Sequence, residues 1–247
     1  MVALVSLVFG LLAVGIPLSG ASPLINARQN AVTQVFLRIE ASASTLFEGT
    51  IKTHGHDVTT ASGGTHHCDG TNNGQNPVPG PTCTSALDDI TKISPFKWDG
   101  TWDNNFEDYF VTRIGGTSQT STQFWGSLLN WQFTPVGGCQ QQVAAGDTIL
   151  WAFDAFSKTH FLKLDGPSTA KVGVPFQVTV TDGSSNIVIS GATVAGTTTS
   201  ASGLSAPGTS DANGHMTVTF TSAGTKKIKA YRDDSLRSNF LTVVVTK

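Results

Sequence analysis

Four histidines in the first third of the chain have a type and spacing that could bind a metal ion. His54 and His56 are separated by one residue, so both side chains would point to one face of a β-strand. His66 and His67 are adjacent and stand directly before Cys68. Imidazole nitrogens suit zinc or copper, but the chain has no HExxH motif and no regular CxxC spacing. These histidines are therefore weak candidates for metal ligands, solvated or capping roles are the alternative, and we predict no cofactor.

A dense group of aromatic residues is the second candidate for chemistry, since exposed planar rings stack on sugars and anchor protein partners. All five tryptophans lie before residue 152. Trp125 and Trp151 fall in strand-like patterns, which predicts that they are buried. Trp98 and Trp102 flank a glycine turn, which favours exposure. We predict ligand binding by Trp98, Trp102 and Tyr109, with burial in a core as the alternative.

Acidic residues are the third candidate. The segment 99–108 offers oxygens that a calcium ion could use, but an EF-hand would need a glycine and a bidentate glutamate where this segment has neither. Glu107, Asp108 and Asp154 could be paired for glycoside hydrolysis, although nothing in the sequence sets their separation. No GxSxG motif and no phosphate loop occurs. We therefore predict no enzyme and no catalytic residue, and a secreted hydrolase is the least favoured alternative.

Three cysteines, Cys68, Cys83 and Cys139, allow one intramolecular disulfide and leave one thiol over. Spacing alone does not distinguish a Cys68–Cys139 bond from a Cys68–Cys83 bond. By loop-closure entropy, the longer loop would stabilise the fold by roughly 4 kcal/mol and the shorter one by roughly 3 kcal/mol. Either bond is structural, because no histidine and carboxylate that would activate a thiol stand out around the spare cysteine.

The start of the chain indicates where the protein works. Val2–Leu18 is an almost unbroken apolar run, and small residues follow it at positions 19–21. This order is typical of a secretory signal peptide over residues 1–21, here followed by a leader over 22–31; a buried N-terminal strand is the alternative. We therefore expect a secreted protein that is extracellular or located in the cell wall.

The composition limits the classes of partner. The net charge is −2 and only 13% of residues are charged, with no basic stripe. Nucleic acids and anionic membranes attract clustered positive charge, so we predict neither as a partner. The short strand-like segment Leu241–Lys247 lacks the hydrophobic tail of a lipid-anchor signal, which predicts no membrane anchor. An extracellular glycan or protein is the expected partner, and the oligomeric state does not follow from the sequence.

Short apolar–polar alternations, separated by glycine, asparagine and proline, predict a mainly β fold. The first half is expected to hold strands, one helix over Thr84–Ile93 and a long loop over 59–83. Thr84 or Ser85 would cap that helix. The strands are predicted at Val32–Glu40, Thr45–Val58, Tyr109–Ile114, Phe124–Phe133 and Thr148–Phe153. Gly49 or Gly55 would form a turn or bulge in the second of these, and Phe124–Phe133 would hold one or two short strands.

From Gly166 onward, aromatic residues nearly vanish and short alternating strands take over. Turn signals separate these strands at Asp182-Gly183, Asn213-Gly214 and Ala223-Gly224. Strands at this spacing indicate an immunoglobulin-like β-sandwich over residues 166–247, which contains no cysteine. The predicted strands are Pro175–Asp182, Ala192–Thr198, His215–Thr221, Lys226–Tyr231 and Asn239–Thr246.

Several motifs stand in the same order as in a known family. They are Val35–Glu40, Thr45–Gly49, His56–Val58, Cys68–Asn73, Phe124–Gly126, Gly138–Gln140, Gly146–Asp147, Leu150–Phe156 and His160–Leu164. With them the chain resembles the secreted domain-of-unknown-function family allied to the C-terminal domain of transcobalamin. It is similar in particular to the surface cell-wall-like proteins of fungi and actinobacteria. The resemblance covers about residues 35–245.

This resemblance implies a small mixed β-grasp-like domain with one short helix over residues 32–165, followed by the immunoglobulin-like domain over 166–247. It also implies that Cys68 and Cys139 form the disulfide and that Cys83 is the extra cysteine. Transcobalamin covers cobalamin together with a large helical domain that this sequence does not contain, so corrinoid binding does not carry over. We expect a non-enzymatic cell-surface or cell-wall protein with an interaction or structural role. The alternative is a carbohydrate- or small-ligand-binding protein with an aromatic cleft in its first domain.

Overall fold

The computed structural model describes residues 30–196 and 208–247, and strands dominate this part of the chain. The predicted mainly β class is confirmed, with one α-helix among the described residues. The predicted signal peptide, residues 1–21, lies outside the described residues, as does the leader up to residue 29. Within the two described ranges, no helix has the length and apolar character needed to cross a membrane.

The first half is built around a five-stranded mixed sheet. In chain order its elements are β1 (Thr33–Glu40), β2 (Thr45–Thr53), β3 (His56–Thr60), β4 (Gly64–Cys68), α1 (Cys83–Ile93), β5 (Trp98–Asp103), β6 (Asp108–Ile114), β7 (Thr117–Ser118), β8 (Trp125–Leu129), β9 (Gln132–Phe133) and β10 (Thr148–Phe153). The central sheet has the order β2-β1-β10-β8-β9, with β1 parallel to β10 and the other pairs antiparallel. β3 pairs with β4, while β5, β6 and β7 form a third sheet.

Alternation along β1 explains its place in the middle of the fold. Val35, Leu37 and Ile39 are buried in the same core as the apolar residues of α1, as apolar side chains at every second position predict. Arg38 and Glu40, which follow Leu37 and Ile39 and point to the opposite face, are also buried. Both faces of β1 are therefore covered.

The helix α1 has a different N-cap from the predicted one. The Thr82 side chain accepts a hydrogen bond from the backbone N–H of Ser85 at 3.0 Å, and the Ser85 hydroxyl accepts one from the backbone N–H of Thr82 at 2.8 Å. This reciprocal arrangement is a capping box. The predicted cap at Thr84 or Ser85 is wrong because both residues lie inside the first turn, where they are wholly buried.

The predicted long loop begins with part of a β-hairpin, which is formed by β3 and β4. The predicted strand Thr45–Val58 is two strands, β2 and β3, which separate near Gly55, and the predicted loop 59–83 includes β4. The Tyr109 hydroxyl lies 2.7 Å from the Val58 carbonyl oxygen and thereby fixes this hairpin against β6. Because its strands consist mainly of threonine, histidine and glycine, they carry no alternating apolar pattern that would have revealed them.

The disulfide joins Cys68 and Cys139, which are 71 positions apart, and confirms the pairing that the resemblance implies. It connects the end of β4 to the segment before β10. Cys83 is a free, wholly buried thiol at the start of α1, and burial raises its pKa.

The second half contains two further sheets. In chain order its strands are β11 (His160–Asp165), β12 (Thr169–Lys171), β13 (Phe176–Asp182), β14 (Thr193–Gly196), β15 (Gly208–Thr209), β16 (His215–Val218), β17 (Gly224–Tyr231), β18 (Ser235–Leu236) and β19 (Leu241–Thr246). One sheet has the order β16-β13-β11-β18 and the other β12-β19-β17-β14-β15. Val178, Val194 and Val243, which come from both sheets, share one core, as in a β-sandwich.

The strand β11 connects the two halves. The first domain was predicted to end at residue 165, the last residue of β11. Because β11 pairs with β13 and β18, this strand belongs to a sheet of the second half. Phe161 of β11 and Leu236 of β18 pack with Leu128 and Leu150 of the central sheet in a small core of their own. The second half thereby covers one face of the central sheet.

Buried charges also join the two halves. Lys229 of β17 forms ion pairs with Glu40 and, at 3.2 Å, with Glu48, while Arg237 lies 2.8 Å from Glu40. The side chains of Lys229 and Glu40 are each 1% exposed. Burial favours the neutral carboxyl, but the positive charges of Lys229, Arg38 and Arg237 hold the pKa of Glu40 below its usual value.

Candidate functional site

A cleft of about 730 Å³ lies beside the hairpin formed by β5 and β6. Apolar groups make up most of its wall. We call it the aromatic cleft; its lining residues are Asn73, Thr101, Trp102, Asp103, Phe106, Asp108, Tyr109, Phe110, Pro135, Val136, Gly137 and Gln140. Two of the three predicted ligand-binding residues, Trp102 and Tyr109, are therefore brought together at one cavity.

The β5–β6 hairpin sets the positions of these two rings. Trp102 and Tyr109 are direct partners in the antiparallel register, so their side chains share one face. Asp103 fixes the turn, because its carboxylate accepts hydrogen bonds from the backbone N–H groups of Asn105 and Phe106 at 2.7 and 3.3 Å. Phe106, in this turn, is 65% exposed and gives the cleft an accessible aromatic rim.

The rings of the cleft belong to a larger aromatic stack. His66 of β4 lies flat on Trp102, with ring centroids 3.9 Å apart and planes 3° apart. Tyr109 meets Trp102 edge-on at 4.9 Å and Trp98 at 5.6 Å. The Tyr109 hydroxyl lies 2.8 Å from the Gly64 carbonyl oxygen, and burial raises the pKa of Tyr109 to about 12. His66, a weak candidate for a metal ligand, thus packs against the cleft wall.

Trp98 does not line the aromatic cleft, and its predicted exposure is wrong. Its side chain is 7% exposed, and its indole N–H donates a hydrogen bond to the Asp88 carboxylate at 3.1 Å. The helix α1, which carries Asp88, satisfies the polar end of the ring in the interior. The predicted burial of Trp125 and Trp151 is confirmed, at 5% and 4% exposure.

Asp108 contributes a buried carboxyl group to the cleft wall. Its oxygens accept hydrogen bonds from the backbone N–H groups of Tyr109 at 2.7 Å and Cys139 at 3.1 Å. A Cβ atom on Gly137 would collide with this carboxylate, so only glycine fits at that position. Burial raises the pKa of Asp108 to about 6 despite these hydrogen bonds. The carboxyl group therefore changes its charge near neutral pH.

Two segments hold the turn of the hairpin from outside. Cys139 places Gln140 beside the turn, where the Gln140 side-chain amide donates a hydrogen bond to the Phe106 carbonyl oxygen at 2.6 Å. In the loop after β4, the side-chain amide of Asn72 donates to the Glu107 carbonyl oxygen at 2.9 Å. Both segments are anchored by the disulfide, which therefore helps to hold the turn in place.

Of the carboxylates considered for calcium binding or hydrolysis, Asp103 and Asp108 are cross-strand partners that both line the aromatic cleft, whereas the others lie apart from it. Asp99 accepts two hydrogen bonds from Ser62, at 3.0 and 2.7 Å. Glu107 accepts one from a backbone N–H in the loop after β4 at 2.5 Å, and Asp154 accepts one from a glutamine side chain at 3.0 Å. Of the three hydrolysis candidates, only Asp108 lines the aromatic cleft.

Two of the four weak metal-ligand candidates, His54 and His56, come together in a second cluster beside α1. His54, His56 and Asp89 each offer one ligand atom, and these atoms lie within 4.8 Å of one another. Asp89 comes from α1, so sequence spacing gave no signal for it. His67 is an exposed residue of β4 opposite Asp57 and is not part of this cluster.

His56 is the centre of this cluster. Its Nδ1 lies 2.8 Å from the His54 carbonyl oxygen, and its Nε2 lies 3.1 Å from an Asp88 carboxylate oxygen. Burial is the largest influence and would lower the pKa of His56, but the hydrogen bonds to Asp88 and His54 and the charge of Asp89 together raise it. The Lys92 ammonium group lies 3.1 Å from the same Nε2. These groups could bind a cation.

Most of the apolar residues that line the cleft were not predicted from the sequence. Phe106 and Phe110 are 65% and 48% exposed, which neither composition nor strand periodicity predicts. A signal was available in the turn, because Asp103 followed by two asparagines is typical of a side-chain-capped turn. Glu107, whose φ of 47° lies in the left-handed region, completes that turn between β5 and β6.

Comparison with known proteins agrees with the resemblance over part of the chain. Residues 99–155 match the family described as Domain of unknown function (DUF4430), a transcobalamin-like C-terminal domain family. This stretch contains every lining residue of the aromatic cleft except Asn73. No curated protein matches the chain.

Proposed function

We propose that this chain is a secreted, non-enzymatic binding protein of the cell surface or cell wall, and that the aromatic cleft holds its ligand. The cleft itself carries the proposal. Its volume of about 730 Å³ falls within the roughly 300–1,000 Å³ of ordinary small-molecule sites. Such sites combine apolar and aromatic walls with a few polar groups, and the aromatic cleft has this composition.

The lining favours a neutral or cationic ligand with a flat or apolar face. Trp102, Phe106 and Phe110 offer ring surfaces that can stack on a sugar or another planar group. Asp103 and Asp108 are the charged residues of the lining, and both are acidic. An anionic ligand would therefore meet repulsion. A neutral carbohydrate or a neutral small molecule fits these conditions.

The carboxylates support binding rather than hydrolysis. Glycoside hydrolysis uses two carboxyl groups on either side of the bond that breaks. Asp103 is engaged by two backbone N–H groups of the turn, and the carboxylate oxygens of Asp108 by backbone N–H groups within the wall. Glu107 and Asp154 are bound outside the cleft. Asp103 lines the cleft beside Asp108, but its carboxylate closes the turn, so we expect it to hold the hairpin rather than to act as the second group of a paired mechanism.

Titration with neutral glycans on an array and with the neutral planar dye Nile red tests the cleft. Phe106→Ala is compared with Phe156→Ala, a matched control, because Phe156 is 64% exposed, Phe106 is 65% exposed, and only Phe106 lines the cleft. We expect wild type and the control to bind a probe with equal affinity. Phe106→Ala and Trp102→Ala should each bind it about 10-fold more weakly, a loss of about 1.4 kcal/mol in binding free energy.

Two outcomes would contradict this proposal. Equal binding by all four proteins would place the ligand outside the aromatic cleft. Failure of wild type to bind any glycan or the dye would contradict a role in binding neutral ligands.

Secretion is supported by the apolar start of the chain and by the disulfide, since such bonds persist in oxidising compartments. Expression in a secreting host followed by intact-mass measurement tests it. We expect protein from the medium to lack residues 1–21 and to contain the Cys68–Cys139 bond. Recovery of the uncleaved chain from the cytosol, with all its thiols reduced, would contradict secretion.

A further inference from the structure

A cluster of side chains separate from the aromatic cleft has the donors of a metal site. His54, His56 and Asp89 place two imidazole nitrogens and a carboxylate oxygen within 4.8 Å of one another, and none of these residues lines the cleft. We propose that they form a binding site for a divalent transition-metal ion, zinc or copper(II). This site is independent of the proposed ligand-binding function.

The orientation of His56 suits a metal ligand. Its Nδ1 is 2.8 Å from the backbone carbonyl oxygen of His54, an acceptor that fixes the proton on Nδ1. Nε2 lies 3.1 Å from an Asp88 carboxylate oxygen, and metal binding displaces the proton of that contact so that Nε2 offers its lone pair. Metal-binding histidines commonly use this arrangement, in which a carbonyl or carboxylate orients the ring from behind. Nε2 faces α1, with a carboxylate oxygen of Asp89 at 3.7 Å.

A positive charge already occupies this position. The Lys92 ammonium nitrogen lies 2.7 Å from an Asp88 oxygen, 3.4 Å from an Asp89 oxygen and 3.1 Å from Nε2 of His56. The three groups thus surround a cation. Lys92 is 54% exposed and borders a second cavity of about 250 Å³, so its flexible side chain has room to withdraw when a metal ion enters.

Asp89 provides an independent observation. Its second carboxylate oxygen, Oδ2, is buried and has no hydrogen-bond partner among the described residues. A buried carboxylate oxygen without a partner is costly. The contacts with His56 and Lys92 are made by the other oxygen, Oδ1, so a metal ion bound by both oxygens of Asp89 would satisfy Oδ2. Two histidines and one carboxylate are a ligand set that zinc uses, with a fourth position left for water; imidazole also suits copper(II).

Metal binding would connect two parts of the first half. His54 and His56 flank the junction of β2 and β3, whereas Asp89 lies on α1. A ligand that binds only the folded arrangement stabilises it in proportion to its excess over the dissociation constant. Bound metal should therefore raise the unfolding temperature as well as give a binding signal, and the two readouts do not depend on any glycan.

Calorimetric titration of chelator-treated, tag-free protein with zinc chloride and with copper(II) chloride tests the site. We expect one ion per chain in wild type. His56→Ala should weaken binding by more than the roughly 10- to 100-fold that loss of an outer hydrogen-bond partner causes. His215→Ala is the control, because this histidine lies on β16, far from the cluster in the fold. Circular dichroism checks that each variant folds.

Lys92→Met gives a test in the opposite direction. If the ammonium group competes with the metal ion, its removal should tighten binding by about five-fold, the scale of an exposed ion pair. A variant that gains affinity cannot be explained by misfolding. Less than about 0.2 ion per chain in wild type would overturn the proposal, as would undiminished binding by His56→Ala or no gain by Lys92→Met.

Discussion

His66 and Trp102 stack face to face, with ring centroids 3.9 Å apart and planes 3° apart. The contact joins β4 to β5, two strands of different sheets. It also supports Trp102 from outside the hairpin that carries it. A ring that is held in position before the ligand arrives loses less conformational freedom on binding, which favours affinity.

Replacement of His66 tests this support. His66→Ala removes the stacked ring and should lower the free energy of unfolding by about 1 kcal/mol, the scale of an aromatic pair. His67→Ala is the control, since the adjacent residue points to the opposite face of β4 and is exposed. Urea unfolding monitored by tryptophan fluorescence measures both. Equal destabilisation by the two variants would contradict a specific role for the stack.

The carboxyl group of Asp108 predicts a pH dependence of stability. Its pKa is about 6 in the folded protein against an ordinary value of 3.8, so the folded state retains the proton to higher pH. The stability it contributes is fully present below about pH 4 and is lost as the pH rises through about 6, by about 3 kcal/mol in total.

Asp108→Asn should abolish this contribution. Unfolding free energies from denaturant titrations at intervals between about pH 4 and 7 give one curve for each protein. The unfolding free energy of wild type relative to that of the variant should be highest at about pH 4 and should fall as the pH rises through about 6. A gap that stays constant with pH would show that the folded and unfolded pKa values of Asp108 are equal.

The buried ion pairs between the two halves predict an asymmetric response to lysine substitution. Lys229→Met leaves Glu40 and Glu48 without their shared partner and should cost about 3 kcal/mol of stability. Lys227→Met, two positions away on the same face of β17 but exposed at the surface, should cost well under about 1 kcal/mol. Thermal and urea unfolding measure the difference. Similar values for both would mean that the Lys229 charge is solvated.

The disulfide and the spare thiol predict a distinct chemical pattern. Replacing Cys68 and Cys139 together by alanine should lower stability by roughly 4 kcal/mol, because a long loop is released. Cys83 is buried, so iodoacetamide should label it only after unfolding. Peptide mass mapping after native and denatured labelling reads this out. Rapid native labelling of Cys83 would contradict its burial, and labelling of Cys68 would contradict the Cys68–Cys139 pairing.

Regular alternation made much of the fold predictable. Apolar alternation predicted the strand at Val32–Glu40 and a continuous apolar run predicted the one at Thr148–Phe153, and the structure places β1 and β10 there. Turn dipeptides such as Asn213-Gly214 marked the strands of the second half for the same local reasons. Local patterns therefore determined these elements.

Long-range contacts determined the rest. Trp98 is buried because Asp88, ten positions earlier, accepts its indole hydrogen bond. The β3–β4 hairpin has no apolar alternation, and the Tyr109 hydroxyl fixes it from another sheet. Asp89 joins the histidines only because α1 packs beside the junction of β2 and β3. A single sequence carries no local signal for such pairs.

The most direct test of the central claim follows the indole N–H signals of the five tryptophans during titration with the neutral probe that binds best. Trp102 lines the cleft, whereas Trp131 lies under Arg38, away from it. With assignments from single tryptophan-to-phenylalanine variants, we expect the Trp102 signal to shift in proportion to occupancy while that of Trp131 stays constant. Saturable binding that shifts Trp131 and leaves Trp102 unchanged would contradict the aromatic cleft as the ligand site.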